Sequence, residues 1–129
     1  MRIFVFGNEF LSEDNMAYLV ARHLAQTQEW RDSGHEFVFC RAPEELLDEA
    51  SPVTILDVAK DAKEVISFND ADALLTRKLM SLHDLDLSYF LKIMKEIEPT
   101  KKLKIIAIPP TGEINKIGKG VLSCLHIKD

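Results

Sequence analysis

The segment Val53-Thr54-Ile55-Leu56-Asp57 is a short, nearly continuous apolar run that ends at a carboxylate. Such a run, preceded by Pro52, indicates a strand that is buried on both faces, as in a parallel sheet covered by helices. A carboxylate at the end of a buried strand must be solvated, paired or bound to a ligand, because an unpaired buried charge is costly. The segment therefore indicates both a class of fold and a candidate functional residue.

Other apolar runs alternate with helical patterns along the chain. We predict strands at 2–6, 36–40, 53–56, 64–68 and 103–108, and helices at 15–30, 44–49, 84–97 and 113–125. Gly118 and Gly120 are expected to break the last helix. The alternation predicts an α/β fold: a single domain, residues 1–129, with a mostly parallel twisted sheet of about five strands and helices on both faces.

Composition and charge argue against several classes of protein. The 129 residues are enough for one hydrophobic core. The net charge of -5 argues against a nucleic-acid partner, because binding a phosphate backbone requires a basic face. We expect no membrane partner, since no apolar segment approaches the roughly 20 residues that a span requires. Cys40 and Cys124 lack metal-ligand spacing and are expected to be reduced thiols of a cytoplasmic protein.

The carboxyl ends of the strands are where ligands bind in an open α/β sheet. Asp14 lies in the loop after the first predicted strand, Asp57 ends the third, and His83 precedes the second long helix. Loops at this edge can converge although their residues are distant in sequence. Two carboxylates and an imidazole suit zinc, nickel or manganese, and three protein ligands leave positions open for water or substrate.

Each of these residues also has a purely structural interpretation. Asp14 and Glu13 can stabilise the positive end of a helix dipole, and His83 can be a solvated residue at a helix start. No serine or cysteine has an identifiable base and orienting group, so a nucleophilic triad is not indicated. The glycine spacings of dinucleotide-binding and phosphate-binding loops are absent. The combination of the three residues, rather than any one of them, favours a functional site.

The order of these motifs resembles that of the hydrogenase maturation proteases, the endopeptidases that process the large subunit of nickel–iron hydrogenases. Four segments carry the resemblance: Arg2-Ile3-Phe4-Val5-Phe6-Gly7-Asn8 with Glu13-Asp14, Ile55-Leu56-Asp57-Val58-Ala59, Ser81-Leu82-His83-Asp84-Leu85, and Ile105-Ile106-Ala107-Ile108-Pro109-Pro110. They span nearly the whole chain, and their order and spacing are more specific than any single motif.

The resemblance implies an α/β fold and an aspartyl endopeptidase-like activity. Carried over by position, Asp14, Asp57 and His83 are the expected catalytic residues and the expected metal ligands. The implied metal is nickel presented by the substrate, and we expect zinc, manganese or another divalent ion to substitute in vitro. The implied partner is the large-subunit precursor of a nickel–iron hydrogenase, from which a C-terminal extension is removed after nickel insertion.

Some positions depart from the family pattern. Cys40-Arg41-Ala42-Pro43 replaces the glycine-rich turn that is usual after the second strand, in a loop that helps to define the substrate cleft in relatives. Asn15 and Ala17 stand where glycines are common. A non-catalytic module of the same fold, which binds a metal or a partner's tail without cutting it, therefore stays open as an alternative.

A receiver-like phosphoacceptor domain is a second alternative. Its early acidic pair directly ends the first strand, whereas seven residues separate Phe6 from Asp14 here. Receivers also place a lysine at the end of the last strand, where this chain has Ile108. Both differences disfavour the receiver interpretation.

Overall fold

A computed structural model describes residues 1–6, 15–40, 53–59, 62–68 and 102–126. Its strands are β1 (Arg2–Val5), β2 (Glu36–Phe39), β3 (Val53–Val58), β4 (Ile66–Phe68) and β5 (Leu103–Ile108). In the described residues they form one five-stranded sheet in the order β2-β1-β3-β5-β4. All neighbouring strands are parallel except β4, which runs antiparallel to β5. The predicted α/β fold with a mostly parallel sheet of five strands is confirmed.

Alternate side chains of the central strands enter two hydrophobic clusters, one on each face of the sheet. The described helices contribute to one of these clusters: α1 (Met16–Ala25), α2 (Gln28–Ser33) and α3 (Ile114–Cys124). Burial on both faces explains why β3 and β5 are almost continuously apolar. The helices predicted at 44–49 and 84–97 lie outside the described residues.

The prediction of one helix over 15–30 is wrong, because two helices occupy this segment. The hydroxyl of Thr27 accepts a hydrogen bond from the amide of Trp30 at 3.3 Å, which caps the start of α2. The same hydroxyl donates to the carbonyl oxygen of Leu24 at 2.7 Å. Trp30 is consequently buried, and its ring stacks on Phe37 with 4.1 Å between the ring centroids.

The prediction that glycines break the last helix is also wrong, since α3 is continuous across both of them. A Cβ atom added at Gly118 would lie 3.1 Å from Leu24 Cδ2, and one added at Gly120 would lie 2.8 Å from Val65 Cγ2. The glycines therefore let α3 pack closely against α1 and against the segment that precedes β4. No helix in the described parts of the chain is long and apolar enough to cross a membrane.

Candidate functional site

Two strands that follow each other in the chain, β2 and β3, lie on opposite sides of β1 in the sheet. Strand β2 pairs with one side of β1, and β3, which follows β2 in the chain, pairs with the other side. Beyond the end of β1, the amide of Phe6 donates a hydrogen bond to the carbonyl oxygen of Leu56 at 2.9 Å. In doubly wound sheets, the crevice at the carboxyl ends of such strands is the usual ligand site.

Asp57 lies at this carboxyl edge, between β1 and β5. Strand β3 continues beyond its predicted end at Leu56 as far as Val58, so Asp57 is inside the strand rather than after it. The residue is only 2% exposed. Its Oδ1 accepts a hydrogen bond from the amide of Val58 at 2.9 Å. The sheet itself therefore positions this carboxylate, and a carboxylate oxygen is a donor that divalent metals accept.

The side chain of Asp57 points to the sheet face opposite α1 and α3. Its alternate neighbours Ile55 and Ala59 belong to the cluster on that face, together with Phe6. On the other side of Asp57, Ala107 of β5 is its register partner and belongs to the same cluster. The carboxylate therefore has an aromatic residue on one flank and a methyl side chain on the other.

The other two predicted ligands, Asp14 and His83, lie outside the described residues. The structure does describe Phe6 and Asn15, which bound the segment that contains Asp14, and Asn15 is the N-cap residue of α1. Within the described ranges, no group of three histidine, cysteine, aspartate or glutamate side chains is arranged to hold a metal ion. The metal-binding trio consequently stays a prediction, with one of its three members placed.

The backbone at the end of β2 is fixed by hydrogen bonds to both the amide and the carbonyl group of Cys40. The amide of Cys40 donates to the carbonyl oxygen of Val5 at 2.9 Å, and the hydroxyl of Tyr18 donates to the carbonyl oxygen of Cys40 at 3.3 Å. The ring of Tyr18 stacks on Phe39, with centroids 5.0 Å apart. We did not predict this role of Tyr18, because helical spacing alone does not show which strand end a side chain will reach.

An open cleft beside α2 lies at the amino side of β2, away from Asp57. It is lined by Gln28, Glu29, Asp32, Ser33, His35, Leu125 and His126. Burial lowers the pKa of His35 from its ordinary 6.5, and the positive charge of the amino terminus lowers that pKa further. The neutral imidazole is thus the stable form at pH 7.

The described fold and the position of Asp57 define an open α/β sheet protein with a carboxylate at the edge of the sheet where ligands usually bind. Solved structures match the fold of this chain. The hydrogenase maturating endopeptidase HybD from Escherichia coli is 20% identical with a TM-score of 0.64, and the match covers 98% of this chain and 93% of HybD. A second endopeptidase from Escherichia coli, determined in solution, is 22% identical with a TM-score of 0.67 and the same coverages.

A solved structure from another organism also matches the fold of this chain. The NiFe hydrogenase maturation protease HybD from Thermococcus kodakarensis is 20% identical with a TM-score of 0.60, covering 98% of this chain and 95% of the other. No protein-family model matches the sequence, and no curated protein matches it significantly. The resemblance to hydrogenase maturation proteases is thus confirmed for the fold, over nearly the whole chain.

Proposed function

We propose that this protein is an endopeptidase that removes the C-terminal extension of a nickel–iron hydrogenase large-subunit precursor after nickel insertion. The similarity of its fold to hydrogenase maturation endopeptidases supports a peptidase with a role in hydrogenase maturation. The observation that carries the proposal is the carboxylate of Asp57, 2% exposed and held at the ligand-binding edge of the sheet. In open α/β sheets, ligands bind in the crevice at the carboxyl ends of the strands, and Asp57 lies at that edge.

In this proposal Asp14, Asp57 and His83 bind the nickel that the precursor presents. Nickel belongs to the substrate, and its binding fixes the precursor so that the scissile bond lies near the three side chains. The amide of Val58 orients the carboxylate of Asp57 before the substrate arrives. A metal ion bound by oxygen and nitrogen ligands can polarise a carbonyl group or activate a water molecule.

The non-catalytic alternative differs from the protease in one measurable outcome. A binding module would form a complex with the nickel-loaded precursor but leave its mass unchanged, whereas an endopeptidase would shorten it. Mixing the two proteins, separating the complex by size-exclusion chromatography and recording the intact mass of the precursor distinguishes them. A stable complex with a full-length precursor would contradict the endopeptidase proposal.

The sheet gives a further reason to disfavour a receiver-like phosphoacceptor domain. Receivers have the strand order 2-1-3-4-5 in a parallel sheet. Here β4 lies at the edge and runs antiparallel to β5. Acetyl-phosphate labelling of Asp57 would be the observation that revives this alternative.

The cytoplasm is the proposed location, and the hydrogenase precursor is the proposed partner. Cys40 is buried and Cys124 is partly buried, and in this proposal both are reduced thiols, as in a cytoplasmic protein. With a net charge of -5, the protein is expected to meet a protein partner rather than nucleic acid.

A further inference from the structure

Strand β2 is an edge strand of the sheet that the described residues form, and β1 is its partner on one side. The amide of Glu36 donates a hydrogen bond to the carbonyl oxygen of Met1 at 3.0 Å, and the amide of Cys40 likewise bonds to β1, at 2.9 Å. Main-chain groups of successive residues point alternately to the two sides of a strand, so those of Phe37 and Phe39 point away from β1. This outer edge presents the donors and acceptors that a further strand would satisfy.

The side chains make this edge apolar and electrically balanced. Phe39 is 43% exposed, although one face of its ring stacks on Tyr18. The one charged residue of β2, Glu36, forms an ion pair with Arg2 at 3.1 Å. Soluble proteins commonly protect an edge strand with a lysine or a proline, and β2 has neither. An uncharged edge with an exposed aromatic ring suits an extended segment that carries apolar side chains.

The register of the sheet places this edge near the proposed site. Phe39 is in register with Val5, and Val5 with Leu56, the residue before Asp57. Strands lie about 4.8 Å apart, so a segment added outside β2 would lie roughly 14 Å from β3. Four or five extended residues span that distance at about 3.3 Å each. A polypeptide that passes the carboxyl edge of β3 can therefore continue along the outer edge of β2.

We propose that the outer edge of β2 binds the C-terminal extension of the precursor as an added antiparallel strand. This inference rests on the proposed function, which places the scissile bond at the carboxyl edge of the sheet. From that edge the extension runs toward the amino end of β2, opposite to the direction of β2 itself. Main-chain hydrogen bonds at Phe37 and Phe39 supply affinity, and the exposed ring of Phe39 contacts an apolar side chain of the extension.

The test on the protein compares Phe39→Ala with Phe39→Pro in processing of the nickel-loaded precursor. Both variants lack the ring, but only proline also lacks the amide that points outward. That amide is not part of the ladder with β1, and proline is tolerated at such edge positions. We expect the alanine variant to raise KM, and the proline variant to raise it roughly fivefold further, as for the loss of one hydrogen bond. Because this contact is remote from the scissile bond, kcat should change little.

Leu19→Ala is the matched control for loss of an exposed apolar side chain. Leu19 is 36% exposed on α1 and is not part of the β2 edge. Its truncation should leave KM unchanged. Circular dichroism and the melting temperature of each variant show whether a change in KM accompanies loss of the fold.

A second measurement tests the main-chain contact without altering the protein. A labelled synthetic peptide with the sequence of the extension is titrated with the purified chain by fluorescence anisotropy, with no nickel present. Two further peptides carry N-methyl groups on alternate residues, one set at odd positions and the other at even positions. In an added strand only alternate amides face the partner, so one set should weaken binding roughly tenfold or more and the other set should weaken it little.

The outcomes separate the inference from the proposed function. Processing with the same KM in Phe39→Ala and folded Phe39→Pro, or equal effects of the two methylated peptides, would overturn strand addition while the endopeptidase stands. If Phe39→Pro does not fold, the methylated peptides decide alone. A dimer of the chain that excludes the peptide would assign the edge to a second copy and overturn the inference. A nickel-loaded precursor that the wild type leaves full length would remove the proposed function, and the inference with it.

Discussion

The amide of Phe6 donates a hydrogen bond to the carbonyl oxygen of Leu56 at 2.9 Å, and this bond joins β1 to β3 immediately before Asp57. The carboxylate is therefore held by paired strands at the point where the crevice begins. A site residue on a strand is positioned more precisely than one on a loop, because the ladder of hydrogen bonds restrains it.

Asp57→Asn should strongly slow processing of the precursor while preserving the fold. The amide keeps the shape of the carboxylate and can still accept the hydrogen bond from Val58, but it lacks the negative charge that favours a divalent ion. We expect processing to slow by roughly 100-fold or more, at the upper end of the effects of changes around metal sites. The rate is followed by intact-mass spectrometry, with Asp32→Asn on the exposed surface of α2 as the control. Wild-type processing by Asp57→Asn would exclude Asp57 from the site.

His83→Ala should abolish processing and also change the pH dependence of nickel binding. In the proposed site the neutral imidazole is the ligand, and protonation in mild acid would disable it in the wild type. The variant should therefore lose more affinity, relative to the wild type, near neutral pH than in mild acid. Nickel titrations at both pH values measure this difference. The same loss at both pH values would remove His83 from the ligand set.

His35 should make the protein less stable in mild acid. Its pKa is lowered from 6.5 by burial, and its Nδ1 is buried without a hydrogen-bond partner among the described residues. The unfolded chain therefore takes up the proton more readily than the folded one. The contribution of the neutral ring to stability is complete above about pH 6.5 and is lost as the pH falls through the lowered pKa.

His35→Gln should flatten this part of the stability profile, because glutamine does not titrate. Urea unfolding of the wild type and the variant between about pH 7.5 and pH 5 measures the two slopes. Parallel profiles for the two proteins would show that the burial of His35 does not affect stability in this range.

Gly120→Ala should destabilise the fold, although alanine favours helices. The added Cβ would lie 2.8 Å from Val65 Cγ2, so either α3 or the segment before β4 must move. Overpacking of this kind costs about 1–3 kcal/mol, which outweighs a gain in helix propensity of about 1 kcal/mol. Chemical denaturation measures the difference, with exposed Lys119→Ala in the same helix as the control.

Val65→Ala provides a second check on that contact. Removing both Cγ atoms of Val65 takes away the closest clash, so Gly120→Ala should cost less in the Val65→Ala background than in the wild type. Additive effects of the two substitutions would show that the contact between Gly120 and Val65 is not the cause.

The sequence predicts the sheet well because its central strands are buried on both faces. The strand predicted at 103–108 has the same bounds in the structure. The position of Asp57 at the end of a similar apolar run identifies it as a candidate site residue. The helix predicted at 15–30 failed because its apolar spacing continues across Thr27, whose hydroxyl caps the next helix instead. At Gly118 and Gly120, helix propensity was a poor guide because close packing requires residues without a side chain.

The surroundings of Asp57 could not be predicted from the sequence. Ala107 is an ordinary member of an apolar run until β5 is known to pair with β3, a strand distant in the chain. The same holds for Tyr18, whose hydroxyl reaches Cys40 at the end of a different strand. Both relationships depend on strand order, which hydrophobic spacing does not encode.

The most direct test of the central claim compares nickel-loaded and nickel-free precursors of a hydrogenase large subunit, each incubated with the purified protein and then weighed by intact-mass spectrometry. The account predicts that only the nickel-loaded precursor is shortened, at one position near its C-terminus, and that Asp57→Asn leaves it full length. A nickel-loaded precursor that stays full length with the wild-type protein would contradict the endopeptidase proposal. Equal shortening of both precursors would contradict recognition of the bound nickel.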